Sequence, residues 1–208
     1  MDWKKAKNTA KKVWRFIWED DSIASWALNV VLAFISIKFV VYPLLGLLLS
    51  TSHPIVAVVS SSMEHDGNFD TWWGSEAICD EKYRCTQQEY YERLNIEKEE
   101  FRDFRFRNGF NKGDIMILYR TSPSKVAVGD VIVFMANRPD PIIHRVIDVT
   151  QVDYSYVFST KGDHNQASFS FESYIPEDTY IGRAVVRIPY VGYIKIGFVK
   201  LLQLVGIM

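Results

Sequence analysis

Residues Ile23 to Leu49 (IASWALNVVLAFISIKFVVYPLLGLLL) hold a single charge, Lys38, in 27 positions. As a helix rising 1.5 Å per residue the run reaches roughly 40 Å, more than the roughly 30 Å hydrocarbon core of a bilayer. A cleavable leader carries a shorter apolar stretch, about 7–15 residues, and a small-residue exit; here STSHP follows Leu49. The run therefore reads as a retained transmembrane anchor over 23–50. Before it stand Lys4, Lys5, Lys7, Lys11, Lys12 and Arg15. By the positive-inside rule they put segment 1–22 in the cytoplasm and everything after Ser50 on the extracytoplasmic face. Lys38 costs about 2.5–3.5 kcal/mol in mid-span, and is either tolerated by snorkelling or kept as a polar handle for a partner helix.

Beyond the anchor, segment 51–187 reads as mainly β. Ile55–Val59, Ile115–Tyr119, Val131–Met135, Ile142–Val149, Tyr156–Ser159 and Ile181–Ile188 are short β-branched or aromatic runs parted by Gly, Pro, Asp and Asn. Strands at this spacing predict an antiparallel sheet folded on itself, a sandwich or partial barrel. A formal net charge of -1 gives no electrostatic reason for a nucleic-acid partner.

Segment 64–111 looks foreign to this β frame. It holds Trp72, Trp73 and the chain's only two cysteines, Cys79 and Cys85, then QQEYYERLNIEKEEFRDF, rich in helix formers. A helix-bearing insert between two strands is the economical reading. On the outer face the cysteines suit a disulfide, the alternative being two free thiols in a helical cap. At the other end, 188–208 (IPYVGYIKIGFVKLLQLVGIM) is apolar again. Its lysines, five apart, suit a membrane-associated helix lying in the interface, with a second span left open.

Four histidines are present: His53, His65, His144 and His164. Alone, a histidine such as His144 in PIIHRVI is most simply a structural residue, and the run Ser60-Ser61-Ser62 a turn. Their order along the chain with TKGDHNQ (Thr160–Gln166) changes that reading. IVAVVSSSME resembles the first active-site box of type I signal peptidases, S-G/S-S-M, in which the serine before the methionine is the nucleophile. The bacterial branch of that family has a lysine base. The archaeal and endoplasmic-reticulum branch has a histidine in an H-R-V context, which His144-Arg145-Val146 resembles. KGDIMIL (Lys112–Leu118), VGDVIVF (Val128–Phe134) and TKGDHNQ resemble the remaining boxes, so the likeness runs from the anchor to about Ile194.

The resemblance implies a signal-peptidase-like β fold and a membrane-bound serine endopeptidase that removes signal peptides from secreted preproteins after small residues, at A-x-A-like sites. It implies Ser62 as nucleophile, His144 as general base and Asp163 as the residue that orients the imidazole. The Ser62 backbone N–H and the Ser60 hydroxyl would receive the oxyanion. Side chains near Ala57, Val59 and Ile143 would shape shallow pockets beside two strands offering hydrogen bonds to an extended substrate. Ser62 lies only 13 residues past Leu49, which keeps the nucleophile close to the membrane that presents the substrate.

The implied partners are preproteins, membrane lipid and the secretion translocon; no cofactor and no metal are expected, and the histidine variant implies an archaeal source. Two departures from the family pattern stand out. Where the acidic box has a second aspartate, six residues after Asp163, this chain has Phe169, so either Asp163 orients the base alone or Glu172 reaches in. The serine box is followed by His65 in place of proline, and then by the insert. Two other functional readings use the same residues: an inactive anchored β module that binds secreted proteins, and a Ser–Lys self-cleaving hydrolase with Lys112 or Lys161 as base.

Overall fold

The computed structural model describes residues 3–80 and 83–204. The chain separates into two compact units, Met1–Leu48 and Leu49–Met208.

The first unit is helical. α1 (Trp3–Trp18) leads to an acidic corner, and Ser22 caps α2 (Ile23–Ser36) by accepting from Ser25 N. Ser25 Oγ and Asn29 Nδ2 donate to the carbonyls of Phe16 and Ile17 at 2.5 and 2.9 Å. These are acceptors that the end of α1 leaves without intrahelical partners. α2 passes through a π turn, Ile37–Val41, into α3 (Tyr42–Leu48). Pro43 explains the turn: it lacks an N–H, and its ring crowds the carbonyl four residues back, at Phe39. Widening the helix just ahead of it lets Tyr42 N–H bond to Ile37 O. Ile23–Leu48 is thus 26 residues of mean hydropathy 2.2, the one helix among the described residues long and apolar enough to cross a membrane. Lys38 lies in the π turn, its ammonium 6.0 and 5.5 Å from the ring centroids of Phe34 and Phe39.

In the second unit the chain runs β1 (Ile55–Ala57), α4 (Phe69–Trp73), β2 (Glu76–Asp80), β3 (Tyr83–Thr86), α5 (Gln87–Glu92), α6 (Lys98–Asp103), β4 (Ile115–Tyr119), β5 (Val131–Phe134), β6 (Ile142–Val152), β7 (Ser155–Lys161), β8 (Ile175–Pro176), β9 (Tyr180–Ile188) and α7 (Gly192–Leu204). Seven strands form one sheet in the order β1-β4-β9-β5-β6-β7-β8, every pair antiparallel. The sheet curls into a half-barrel. Of the two forms the sequence allowed, this is the partial barrel; among the described residues the only other sheet is the β2–β3 hairpin.

Strand β5 shows why the sheet curls. All four of its residues are apolar, and successive side chains point to opposite faces, so both faces must be covered. Val131 and Val133 pack with Val58, Met63, Phe110 and Leu118 in one core. Ile132 and Phe134 pack with Val146, Phe158 and Tyr180 in another. Each such burial contributes about 1.5–3 kcal/mol.

Residues 64–111 carry α4, the β2–β3 hairpin, α5 and α6. Their centre is aromatic: Trp72, Trp73, Tyr91 and Phe101 have ring centroids 5.0–6.0 Å apart and pack against Ile147 of β6. Cys79 and Cys85 are disulfide-bonded; closing so short a loop is worth about 2 kcal/mol. Thr86 and Glu89 form a reciprocal capping box on α5. At the C-terminal end α7 has 13 described residues, about 20 Å of helix, short of a hydrocarbon core. Positions 205–208 of the apolar segment lie outside the described residues.

Candidate active site

The serine cluster follows β1, an edge strand of the sheet. Val58 N bonds to Asp114 O and Gly113 N to Val58 O, both at 2.9 Å, which extends the β1 edge one residue past the strand. The chain then turns, Glu64 N bonding to Ser61 O at 3.0 Å. Met63 is driven into the core, and its carbonyl accepts from Phe110 N at 2.9 Å. Gly109 permits that approach: its φ is +66°, and a Cβ there would fall 2.3 Å from Met63 O. With its neighbours fixed, Ser62 projects from the turn. Its Oγ lies 2.9 Å from His144 Nε2 and 3.2 Å from Ser60 Oγ.

Gly162 seals this arrangement from behind. A Cβ there would lie 2.7 Å from Ser62 O and 2.8 Å from His144 Nε2, so any side chain would push the serine and the imidazole apart. Next to it, Ser62 O accepts from His164 N at 2.9 Å. The Ser62 backbone N–H makes no hydrogen bond among the described residues.

His144 stands on β6 with Nδ1 bonded to Glu172 Oε1. A carboxylate only accepts, so Nδ1 carries the hydrogen and Nε2 is left as the acceptor facing the Ser62 hydroxyl. Glu172 is fully buried and well held: Oε1 also accepts from Thr160 Oγ1 at 3.0 Å, and Oε2 from Phe169 N at 2.9 Å. It arrives on a 3₁₀ turn, Ser170–Glu172, closed by a bond from Glu172 N to Phe169 O.

The orienting contact expected of Asp163 is therefore made by Glu172. Alternation along β6 is the physical reason. His144 and Arg145 point to opposite faces, and Asp163 is on the Arg145 side. Arg145 Nε and Nη2 bond to Asp163 Oδ1 and Oδ2 at 2.9 and 2.7 Å. The other N–H groups of this buried guanidinium go to the carbonyls of Arg105, Gly129 and Phe106, which accounts for all five of its donors. Asp163 Oδ2 also meets His65 Nε2 at 3.0 Å, and its backbone oxygen accepts from Trp72 Nε1 at 2.9 Å. Burial pushes the Asp163 carboxyl upward, but the Arg145 guanidinium and the His65 bond outweigh it and hold it well below the usual carboxylate range.

His65 and Arg145 are thus structural members of this neighbourhood, joined to it through Asp163. His65 stacks on Trp72 with centroids 3.7 Å apart and planes 7° from parallel, and its Nδ1 is buried without a partner among the described residues. Lys161 is buried as well. Its ammonium bonds to Gln87 Oε1 at 2.8 Å and Gly162 O at 3.1 Å, between the rings of Tyr90 and Tyr91. Burial pushes its pKa down to about 7, against the pull of Asp163 and Glu172. The hydroxyl of Ser62 faces His144, and Lys161 is not among its hydrogen-bond partners.

A cavity of about 480 Å³ opens over the serine. Ala57, Val59 and Ile143 line it together with Ser60, Ser62 and His144, while Phe169 and Phe171 form another part of its wall. Among the described residues no strand lies beside the β1 edge away from β4. Pairing of β6 with β7 begins only at Arg145 and Lys161, which leaves one side of Ile142–His144 open as well. The described residues include no group of three His, Cys, Asp or Glu suited to a metal ion.

No family model matches the chain. Over 94 residues it is 32% identical to the signal peptidase complex catalytic subunit SEC11C of Homo sapiens, covering 42% of this chain and 49% of that protein. It is 33% identical over 94 residues to the signal peptidase complex catalytic subunit SEC11 of Verticillium alfalfae, covering 42% and 55%. The chain spans about half the length of the curated relatives it matches. A buried carboxylate, an imidazole and a hydroxyl in line on an antiparallel half-barrel thus occur in a chain similar to catalytic subunits of signal peptidase complexes.

Proposed function

We propose that the chain is a membrane-anchored serine endopeptidase that removes signal peptides from secreted preproteins. The hydrogen-bonded series Ser62–His144–Glu172 carries this reading. Ser62 Oγ attacks the scissile carbonyl as His144 Nε2 takes its proton, and Glu172 holds the ring and its developing positive charge. The Ser62 N–H and the Ser60 hydroxyl receive the oxyanion. His144 then gives the proton to the leaving amine, and in the second half of the cycle draws one from the water that frees the acyl group. Asp163 stays outside this sequence and holds Arg145.

The substrate lies extended between the β1 edge and Ile142–His144, with Ala57, Val59 and Ile143 bounding a pocket for a small residue before the cut. In this reading 1–22 is cytoplasmic, 23–50 the anchor, 51–187 the extracytoplasmic peptidase domain and 188–208 a membrane-associated segment that includes α7. The archaeal source rests on motif resemblance alone; the relatives named above are human and fungal.

The deciding experiment is cleavage of a preprotein with an A-x-A site by membranes holding the wild-type chain, Ser62→Ala or His144→Ala. Product from wild type and from neither variant supports the reading. Cleavage that survives loss of Ser62 ends it, and equal turnover of substrates with Ala or Phe before the cut ends the small-pocket assignment.

A further inference from the structure

The proposed chemistry leaves α1 without a task. From Trp3 to Trp18 the sequence carries six basic residues and no acidic one. Trp3, Ala6, Ala10, Val13, Trp14 and Ile17 recur at spacings of three and four, which aligns them on one face of the helix, with the basic residues on its flanks and back. That face is bare: Trp3, Val13 and Trp14 are 77%, 51% and 61% exposed.

The chain itself indicates what covers it. Five residues after Trp18 the membrane-length segment begins, and Ser25 and Asn29 tie the last turn of α1 to the first two turns of α2. The last turn of α1 therefore lies where a span would meet the membrane surface. Indoles favour the headgroup level, and a lysine-rich flank complements anionic headgroups. The acidic residues flanking α1 in the sequence are Asp2 before it and Glu19, Asp20 and Asp21 in the corner after it, where Glu19 pairs with Arg15 at 3.1 Å.

We propose that α1 lies in the plane of the membrane surface, its tryptophan stripe in the headgroup boundary and its lysines against anionic lipid. The inference rests on Ile23–Leu48 seating in a bilayer and is independent of the peptidase reading.

Because both native cysteines are in the disulfide, the full chain with Ala10→Cys or Lys12→Cys takes one thiol-reactive, polarity-sensitive dye. The labelled proteins are reconstituted in phosphatidylcholine vesicles with and without about 30% phosphatidylserine and probed with spin-labelled lipid. The expected result is quenching about threefold stronger at position 10 than at 12 in the anionic vesicles, falling in neutral vesicles, in about 1 M salt, and when Lys5, Lys7 and Lys11 are replaced by Gln. Equal, weak quenching at both positions would overturn the proposal, as would burial of position 10 that ignores lipid charge and salt. Protection of position 10 that scales with protein density would assign the face to a second copy. Release of the chain by alkaline carbonate would overturn the inference through its anchor, whatever the peptidase assay gives.

Discussion

Two histidine–carboxylate pairs lie on opposite sides of β6. His144, backed by the buried Glu172, opens onto the cavity, and the far nitrogen of the imidazole meets a hydroxyl. His65 and Asp163 are sealed under Trp72, the far nitrogen has no partner among the described residues, and both oxygens of the carboxylate are bound by Arg145. The pairing is chemically alike in both. What separates a site from a brace is the third group: a serine in the first, a guanidinium in the second. The Arg145 bond also removes from Asp163 the freedom to serve as anything but a counter-ion.

Substitutions should separate the two pairs cleanly. The largest expected effect is on turnover. Glu172→Gln removes the charge behind His144 and should cut kcat by about 10²–10⁴, while Asp163→Asn should leave kcat per folded molecule within about threefold and lower the urea midpoint instead. A comparable drop in kcat for both would erase the distinction. Next comes Arg145→Met, which strands a buried carboxylate and should cost about 3–5 kcal/mol in chemical denaturation. A loss under about 1 kcal/mol would mean that the guanidinium is not the main prop of Asp163.

A smaller effect is expected for His65→Phe, which keeps the stack on Trp72 and removes one bond to a charged acceptor. It should cost about 1–2 kcal/mol and leave the pH–rate profile where it was. A displaced profile would join the sealed pair to the chemistry.

The sealed side should also show in pH-dependent stability. Asp163 titrates lower in the folded chain than in the unfolded one, so its contribution is complete above about pH 4 and is lost as the pH falls through the folded value. Lys161 is lowered from 10.5 to about 7, so between those values the unfolded chain binds the extra proton and stability rises with pH. Lys161→Met should flatten that alkaline limb of the denaturation midpoint, and an unchanged limb would refute the burial argument.

Much of this was legible in the sequence, for identifiable reasons. The long apolar run marks the one membrane-length helix, and the Val-Ile-Val-Phe run announces a strand covered on both faces. Ser62 and His144 were found through short boxes, and the structure brings their side chains within hydrogen-bond distance. The acid was harder. Glu172 reaches the imidazole through an irregular 3₁₀ turn, which no period of two or 3.6 encodes. One clue was available: His144 and Arg145 are neighbours on a strand, so a carboxylate that serves one faces away from the other. His65 carried no such clue, because its partner Asp163 lies 98 residues away and the ring it stacks on, Trp72, belongs to α4 of the insert.

The order of the sheet also bears on how the site comes into being. β9, synthesised after the other strands of this sheet, sits in the middle, with β1 and β4 on one side and β5 to β8 on the other. Ser62 follows β1 and His144 belongs to β6, so each is on a different half until residues 180–188 arrive. Loop-closure entropy of that scale is paid late in folding. A nascent chain that already holds both the serine and the histidine still lacks the strand that brings them together, and the hydrolytic centre is completed only when the sheet is.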